Sequence, residues 1–154
     1  MTPAPAPPTD PVAQVQWLVD RAAISDLLND VARALDDRDW EGYASNYTDD
    51  GVLDIAPTIR HEGRAGMAEF VAGSLGRYAG THHLSSNHRI ELDGDTATTR
   101  SYLLAAHVFD AGQPHRHADG AGWYLCRLRR TAKGWRFEHV ALVVRCVSGE
   151  PLLH

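Results

Sequence analysis

The amino-acid sequence predicts an α+β fold, with three helices packed against one face of a mostly antiparallel, strongly curved sheet. Two patterns carry this. Residues 11–78 show apolar spacing of helical period in three stretches separated by charged or capping residues. Residues 82–147 read as long strands joined by turn signals, beginning with the hairpin signature Asp93-Gly94-Asp95. Helices and strands segregated in this way belong to α+β folds, in which helices cover one sheet face. Long strands bend readily, and a bent sheet leaves a concave face where a ligand can sit.

The first helix starts at a cap, Thr9 or Asp10, with Pro11 at a tolerated early position, and runs to about Asp36. Ile24, Leu27, Leu28, Val31 and Leu35 fall on one face of it. Asp39 caps a second, short helix with Trp40, Tyr43 and Tyr47 on one side, ended by Asp49-Asp50-Gly51. A strand over Val52 to Ala56 and a loop from Pro57 to Gly63 follow. A third helix spans about Arg64 to Tyr78, with Met67, Phe70, Val71, Leu75 and Tyr78 as its stripe, and Gly80 closes it. The sheet then comprises His82 to Asp93, Thr96 to Phe109, Gly122 to Arg130 and Trp135 to Val147.

The chain of 154 residues fits one domain over 11–154, preceded by a Pro/Ala-rich tail over 1–10 that cannot bury apolar surface and is expected to be disordered. A net charge of −5 argues against nucleic-acid binding, which needs a basic face. No apolar run approaches the roughly 18 residues that span a bilayer, and the N-terminal residues lack the features of a secretory signal. The cytoplasm is therefore the expected location. Cys126 and Cys146 are too few for a disulfide framework and read as small core residues.

Three segments together resemble the SnoaL-like branch of the nuclear transport factor 2 superfamily: RAAISDLLNDVARALDDRDWEGYASNYTDDGVLDI, THHLSSNHRIELDGDTATTRSYLLAAH and GWYLCRLRRTAKGWRFEHVALVVR. The resemblance implies a cystatin-like cone of helices and curved sheet around one small-molecule pocket. It is similar at these places to scytalone dehydratase, lindane dehydrochlorinase and bile-acid 7α-dehydratase, lyases that remove a proton beside the leaving group. Their helix-end Asp falls on Asp36 and their strand His on His83. The second catalytic His of scytalone dehydratase falls on His107, and a basic residue of the bile-acid enzyme falls on or near Arg145. The two tyrosines with which scytalone dehydratase holds a water correspond to Leu35 and Ile55, so that activation is not carried over.

The residues themselves support parts of this picture. An acid at a helix C-terminus opposes the dipole, so Asp36 calls for a special reason. A carboxylate there can hold an imidazole in one tautomer, and an imidazole is a competent base near neutral pH. Strand alternation groups His82 with Leu84, Ile90 and Leu92, whereas the resemblance selects His83; a bulge would reconcile the two. His107 lies in the apolar stretch LLAAHVF, as general acid, hydrogen-bond donor or simply a bonded core residue. The expected substrate contacts are Arg145, Trp40, Tyr43, Tyr47, Phe70 and Trp123. His115 and His117 offer only an incomplete metal-ligand pair, so neither metal nor cofactor is assigned. The expected activity is that of a cofactor-independent lyase acting on a hydrophobic cyclic hydroxy compound, in a homo-oligomer. A polyketide cyclase or ketosteroid-isomerase-like enzyme shares the first step; a carrier or assembly protein needs only the pocket.

Overall fold

A computed structural model describes residues 6–55 and 59–152. Helix α1 (Pro11–Asp36) is capped by Asp10, whose carboxylate accepts the Ala13 amide at 2.9 Å. Its apolar stripe is buried at Ile24, Leu27, Leu28 and Leu35. Arg38 turns the chain at φ 62°, and α2 (Trp40–Ser45) follows under the Asp39 cap. Strand β1 (Tyr47–Ile55) pairs with β2 (Ile59–Glu62), and α3 spans Met67–Leu75. The long strands are β3 (Gly80–Asp93), β4 (Thr96–Val108), β5 (Ala118–Thr131) and β6 (Gly134–Gly149).

All strands lie in one sheet, ordered β2-β1-β6-β5-β4-β3 and antiparallel throughout except for the parallel β1–β6 pair. The core lies between the sheet and the helices around Ile24, Leu28, Leu53, Met67, Leu128 and Phe137, each at most 2% exposed.

Several expected boundaries move. Tyr47 opens β1 instead of extending α2, because the short helix ends at Ser45 and Tyr47 stacks on Phe137 of β6 at 5.5 Å. Asp49-Asp50-Gly51 therefore lies within β1, where the register shifts between Tyr47 and Val52, instead of ending a helix. The expected 57–63 loop contains β2, which pairs with β1 through Ile59 to Glu62. Helix α3 is shorter than expected, and Gly80 begins β3 instead of closing the helix. Cys126 is buried but Cys146 is exposed, so only the former is a core residue. The first part of the expected tail (residues 1–5), the end of the expected first strand at Ala56 and the start of the loop at Pro57 lie outside the described residues.

Two polar clusters tie α1 to the sheet. Asp20 accepts both terminal guanidinium nitrogens of Arg130, at 2.6 and 2.7 Å, and the Trp135 indole N–H at 3.1 Å. The Arg130 bonds hold its carboxyl below the usual range. Nearer the site, the His88 ring bridges Ser25 of α1 at 2.7 Å and Ser85 at 3.2 Å, and Ser85 donates to Ser101 at 3.0 Å. Burial pushes the His88 imidazole below its ordinary value, as it does His107. A histidine held neutral in the fold supports stability above its unfolded pKa, about 6.5, and that support is lost as pH falls through the lowered folded value. Thermal stability is therefore expected to fall between pH 7 and pH 5, and His88→Gln to flatten that fall. A melting temperature that rises on acidification through this window would contradict the assignment.

Candidate active site

Asp36 is the last residue of α1, and its carboxylate is fully engaged by the start of β3. Oδ1 accepts from the Thr81 hydroxyl at 3.0 Å and from His83 Nδ1 at 2.7 Å; Oδ2 accepts the His83 backbone N–H at 2.8 Å. Burial alone would push the Asp36 carboxyl up, but the side-chain and backbone bonds from His83 outweigh it and hold it low. Because an ionised carboxylate only accepts, His83 Nδ1 carries a proton, and in the neutral ring Nε2 is then the nitrogen with the lone pair. The His83 side chain is 6% exposed, whereas that of His82 is 71% exposed and lies 3.7 Å from the same carboxylate.

The bulge that lets His83 point inward is present. Between Ser86 and Arg89 the β3–β4 register gains one residue on β3, at Asn87 with φ 55°. Inward positions therefore run His83 and Ser85 before the bulge, and His88, Ile90 and Leu92 after it.

On β4, alternation is regular and His107 is buried. Its Nδ1 lies 2.7 Å from the Ala118 carbonyl, which can only accept, so this nitrogen is the protonated one. Burial lowers the imidazole's pKa, and the carbonyl bond only partly offsets that. Neutral His107 thus offers Nε2 as an acceptor in the resting protein. The His83 and His107 rings meet edge to face at 5.3 Å, with Tyr78 stacked 4.7 Å from His107.

Both histidines line a cavity of about 100 Å³ whose walls are mainly apolar: Leu35, Leu53, Ile55, Val71, Leu75, Leu103 and Leu142. Tyr43, Ser74, Tyr78 and Tyr124 supply its remaining polar atoms. Arg38 positions one wall, donating to the carbonyls of Leu75 at 2.6 Å and Tyr78 at 2.7 Å where α3 ends.

The sequence pattern of the SnoaL-like domain matches residues 16–141, nearly the whole folded region. The chain belongs to the SnoaL-like family. This SnoaL-like protein is also 30% identical to an uncharacterized protein of Mycobacterium tuberculosis over 123 residues, 79% of this chain and 83% of the relative. Similar solved structures include a candidate aromatic ring hydroxylase from Novosphingobium aromaticivorans, with TM-score 0.78, 29% identity, and coverage of 86% of this chain and 94% of that one. A candidate scytalone dehydratase from the same organism gives TM-score 0.81 at 24% identity, covering 90% and 93%. A hexachlorocyclohexane dehydrochlorinase, LinA, gives 0.79 at 23%, covering 91% and 95%. The last two likenesses show the shared fold.

Of the residues expected to contact substrate in this SnoaL-like protein, Tyr43 alone lines the cavity. Tyr47 lies behind it, its hydroxyl 2.6 Å from that of Tyr43. Trp40 borders a separate surface groove with Ala68 and Ala72, and Phe70 packs on His61 at 5.0 Å. Trp123 faces outward beside Tyr102, beneath the Arg100 guanidinium at 4.4 Å. Arg145 is the extra residue of a β6 bulge between the Ala121–Cys146 and Gly122–Val144 pairs, which splays it out over Trp123 at 5.4 Å. Thr81 is not singled out by sequence, although it shares the inward parity of His83; Tyr78 reads only as part of the α3 stripe, and Tyr124 only as one of the aromatics from which a few pocket-lining rings are expected. Among the described residues no three His, Cys, Asp or Glu side chains gather as a metal-ligand set, and His117 pairs with Asp119 at 2.9 Å.

Proposed function

We propose that this protein is a lyase of the dehydratase type, acting on a small cyclic hydroxy ketone. The observation that carries the reading is the Asp36–His83 pair, in which the carboxylate bonds Nδ1 and so leaves Nε2 of the neutral ring as the basic atom of a residue that lines an apolar cavity. In the proposed reaction His83 Nε2 takes the proton from the carbon beside the carbonyl. The C–H electrons form the double bond of an enolate. The enolate then re-forms the carbonyl and expels the neighbouring hydroxyl, which collects the proton from His83 and leaves as water. His107 Nε2 accepts a hydrogen bond from that hydroxyl and orients it. Asp36 stays ionised and balances the imidazolium between the two proton transfers. The dry walls strengthen each of these contacts.

Cavity size favours one ring. An apolar cavity of about 150 Å³ takes up benzene, so about 100 Å³ suits a single ring with one end projecting. Two of the similar structures are named for chemistry on ring compounds, an aromatic ring and hexachlorocyclohexane. The test is a panel of monocyclic β-hydroxy ketones followed by the absorbance of the conjugated ketone formed. Turnover that disappears in His83→Ala supports the lyase; ring binding without turnover on any member makes the protein a carrier.

We also propose a homo-oligomer formed through the outer sheet face. Leu84, Tyr102, Leu104 and Leu125 stand 39–49% exposed there on neighbouring strands. Light scattering at micromolar concentration is expected to give a multiple of the chain mass, and a monomer would count against it.

A further inference from the structure

The cavity contains a hydroxyl that the elimination chemistry has not yet used. On β5, Gly120, Gly122 and Tyr124 follow one another on the inward face. The Tyr43 hydroxyl is paired with that of Tyr47 at 2.6 Å. The Tyr124 hydroxyl has no protein hydrogen-bond partner among the described residues. It is not sealed either: the side-chain atoms enclosed without a partner are Thr99 Oγ1 and Asp119 Oδ1. The Tyr124 side chain lines the cavity shared with His83 and His107 and also a smaller adjoining one beside Leu28, Tyr47 and Phe137.

Strand register orders the three groups. His83 lies opposite Ala105, which lies opposite Gly120, while Ser101 lies opposite Tyr124. His107 is two residues from Ala105 in one direction along β4, and Ser101 is four residues away in the other. At about 3.4 Å per residue, the His107 row lies roughly 7 Å from the His83 row, and the Tyr124 row roughly 14 Å from it. The long phenol side chain closes part of that second gap, and Gly120, which lines the cavity, leaves the floor beside His83 bare. The base is thus flanked by an acceptor on one side and a free donor on the other.

We propose that Tyr124 donates its O–H to the carbonyl oxygen of the substrate and is a catalytic residue. This rests on the lyase reading and specifies its substrate as a single ring with the acidic C–H between a carbonyl and a β-hydroxyl. The order Tyr124, His83, His107 matches the order carbonyl oxygen, C–H and leaving hydroxyl. As His83 takes the proton, charge gathers on the carbonyl oxygen, where the Tyr124 hydrogen bond strengthens. Burial pushes the Tyr124 hydroxyl well above its ordinary pKa, so it remains a hydrogen-bond donor and keeps its proton.

The experiment separates this role from proton abstraction by measuring binding without turnover. Cyclohexanone and methylenecyclohexane have nearly the same shape, and only the ketone accepts a hydrogen bond. Wild type and His83→Ala are expected to bind the ketone more tightly, by roughly three- to tenfold, and to lower its infrared carbonyl stretch. Tyr124→Phe should bind both ligands equally and leave the stretch unshifted. An equal shift in Tyr124→Phe, or no preference for the ketone in wild type, would overturn the role of Tyr124. Failure of the lyase reading shows separately, as absent turnover while the Tyr124-dependent shift persists.

Discussion

His83→Ala is expected to lower turnover by roughly 10²–10⁴-fold, the usual contribution of a positioned general base. Asp36→Asn should be nearly as severe. The carboxylate accepts three bonds at once, from the Thr81 hydroxyl, the His83 amide and His83 Nδ1. An asparagine offers one accepting oxygen and an NH₂ group that can only donate, so at least one of these donors meets another donor. The ring then loses the partner that fixes its tautomer and the charge that balances its protonated form. The double variant should be little worse than either single one, because two residues acting as a unit are disabled once. Binding of a ring ligand should survive in all three, since apolar walls supply most of the affinity. Losses that multiply would show that Asp36 and His83 work independently.

Legibility in the sequence followed the strength of local signals. The α1 stripe and its acidic end were readable because the 3.6-residue period persists from Ile24 to Leu35, and the fold class followed from segregated helices and strands. Strand β2 was not readable: four residues with Arg60 and Glu62 exposed carry little apolar signal, and only pairing with β1 makes them a strand. His83 shows where alternation ends as a guide. Simple parity turned His82 inward, and one left-handed residue at Asn87 reverses that for the strand's first half. Asparagine tolerates such a backbone better than most residues, but the residue alone does not announce a bulge. Arg145 and Trp123 misled for a related reason. Both lie near a register shift between β5 and β6, and their arrangement depends on strands distant in sequence. The tautomer of His107 depends on Ala118, 11 residues away on another strand, and no spacing rule reports it.

The cavity exists partly because Gly120 lacks a side chain, and this gives the second large expected effect. Gly120 lies in the same cross-strand row as His83 and Ala105, on the cavity wall. A Cβ built there meets only ordinary contacts, Leu152 at 3.4 Å and Val144 at 3.8 Å, so Gly120→Leu can place its side chain in the hollow. A buried CH₂ is worth about 0.8 kcal/mol, so a six-carbon ring gains roughly 5 kcal/mol from the site. Losing that corresponds to more than about 10³-fold in affinity. Stability should move the other way. Cavity volume carries about 24 cal/mol per Å³, so filling much of the about 100 Å³ hollow stabilises the fold by up to about 2 kcal/mol. Asp36 and His83 are expected to keep their hydrogen bonds, because the contacts of a Cβ at Gly120 are Leu152 and Val144 and not the dyad. The expected variant is therefore more stable, unable to bind ring ligands and inactive with its dyad intact, as read by denaturant titration, calorimetric binding and turnover together. Retained activity in a protein of raised stability would move the reaction away from this cavity, because the dyad would then be working on a substrate bound elsewhere.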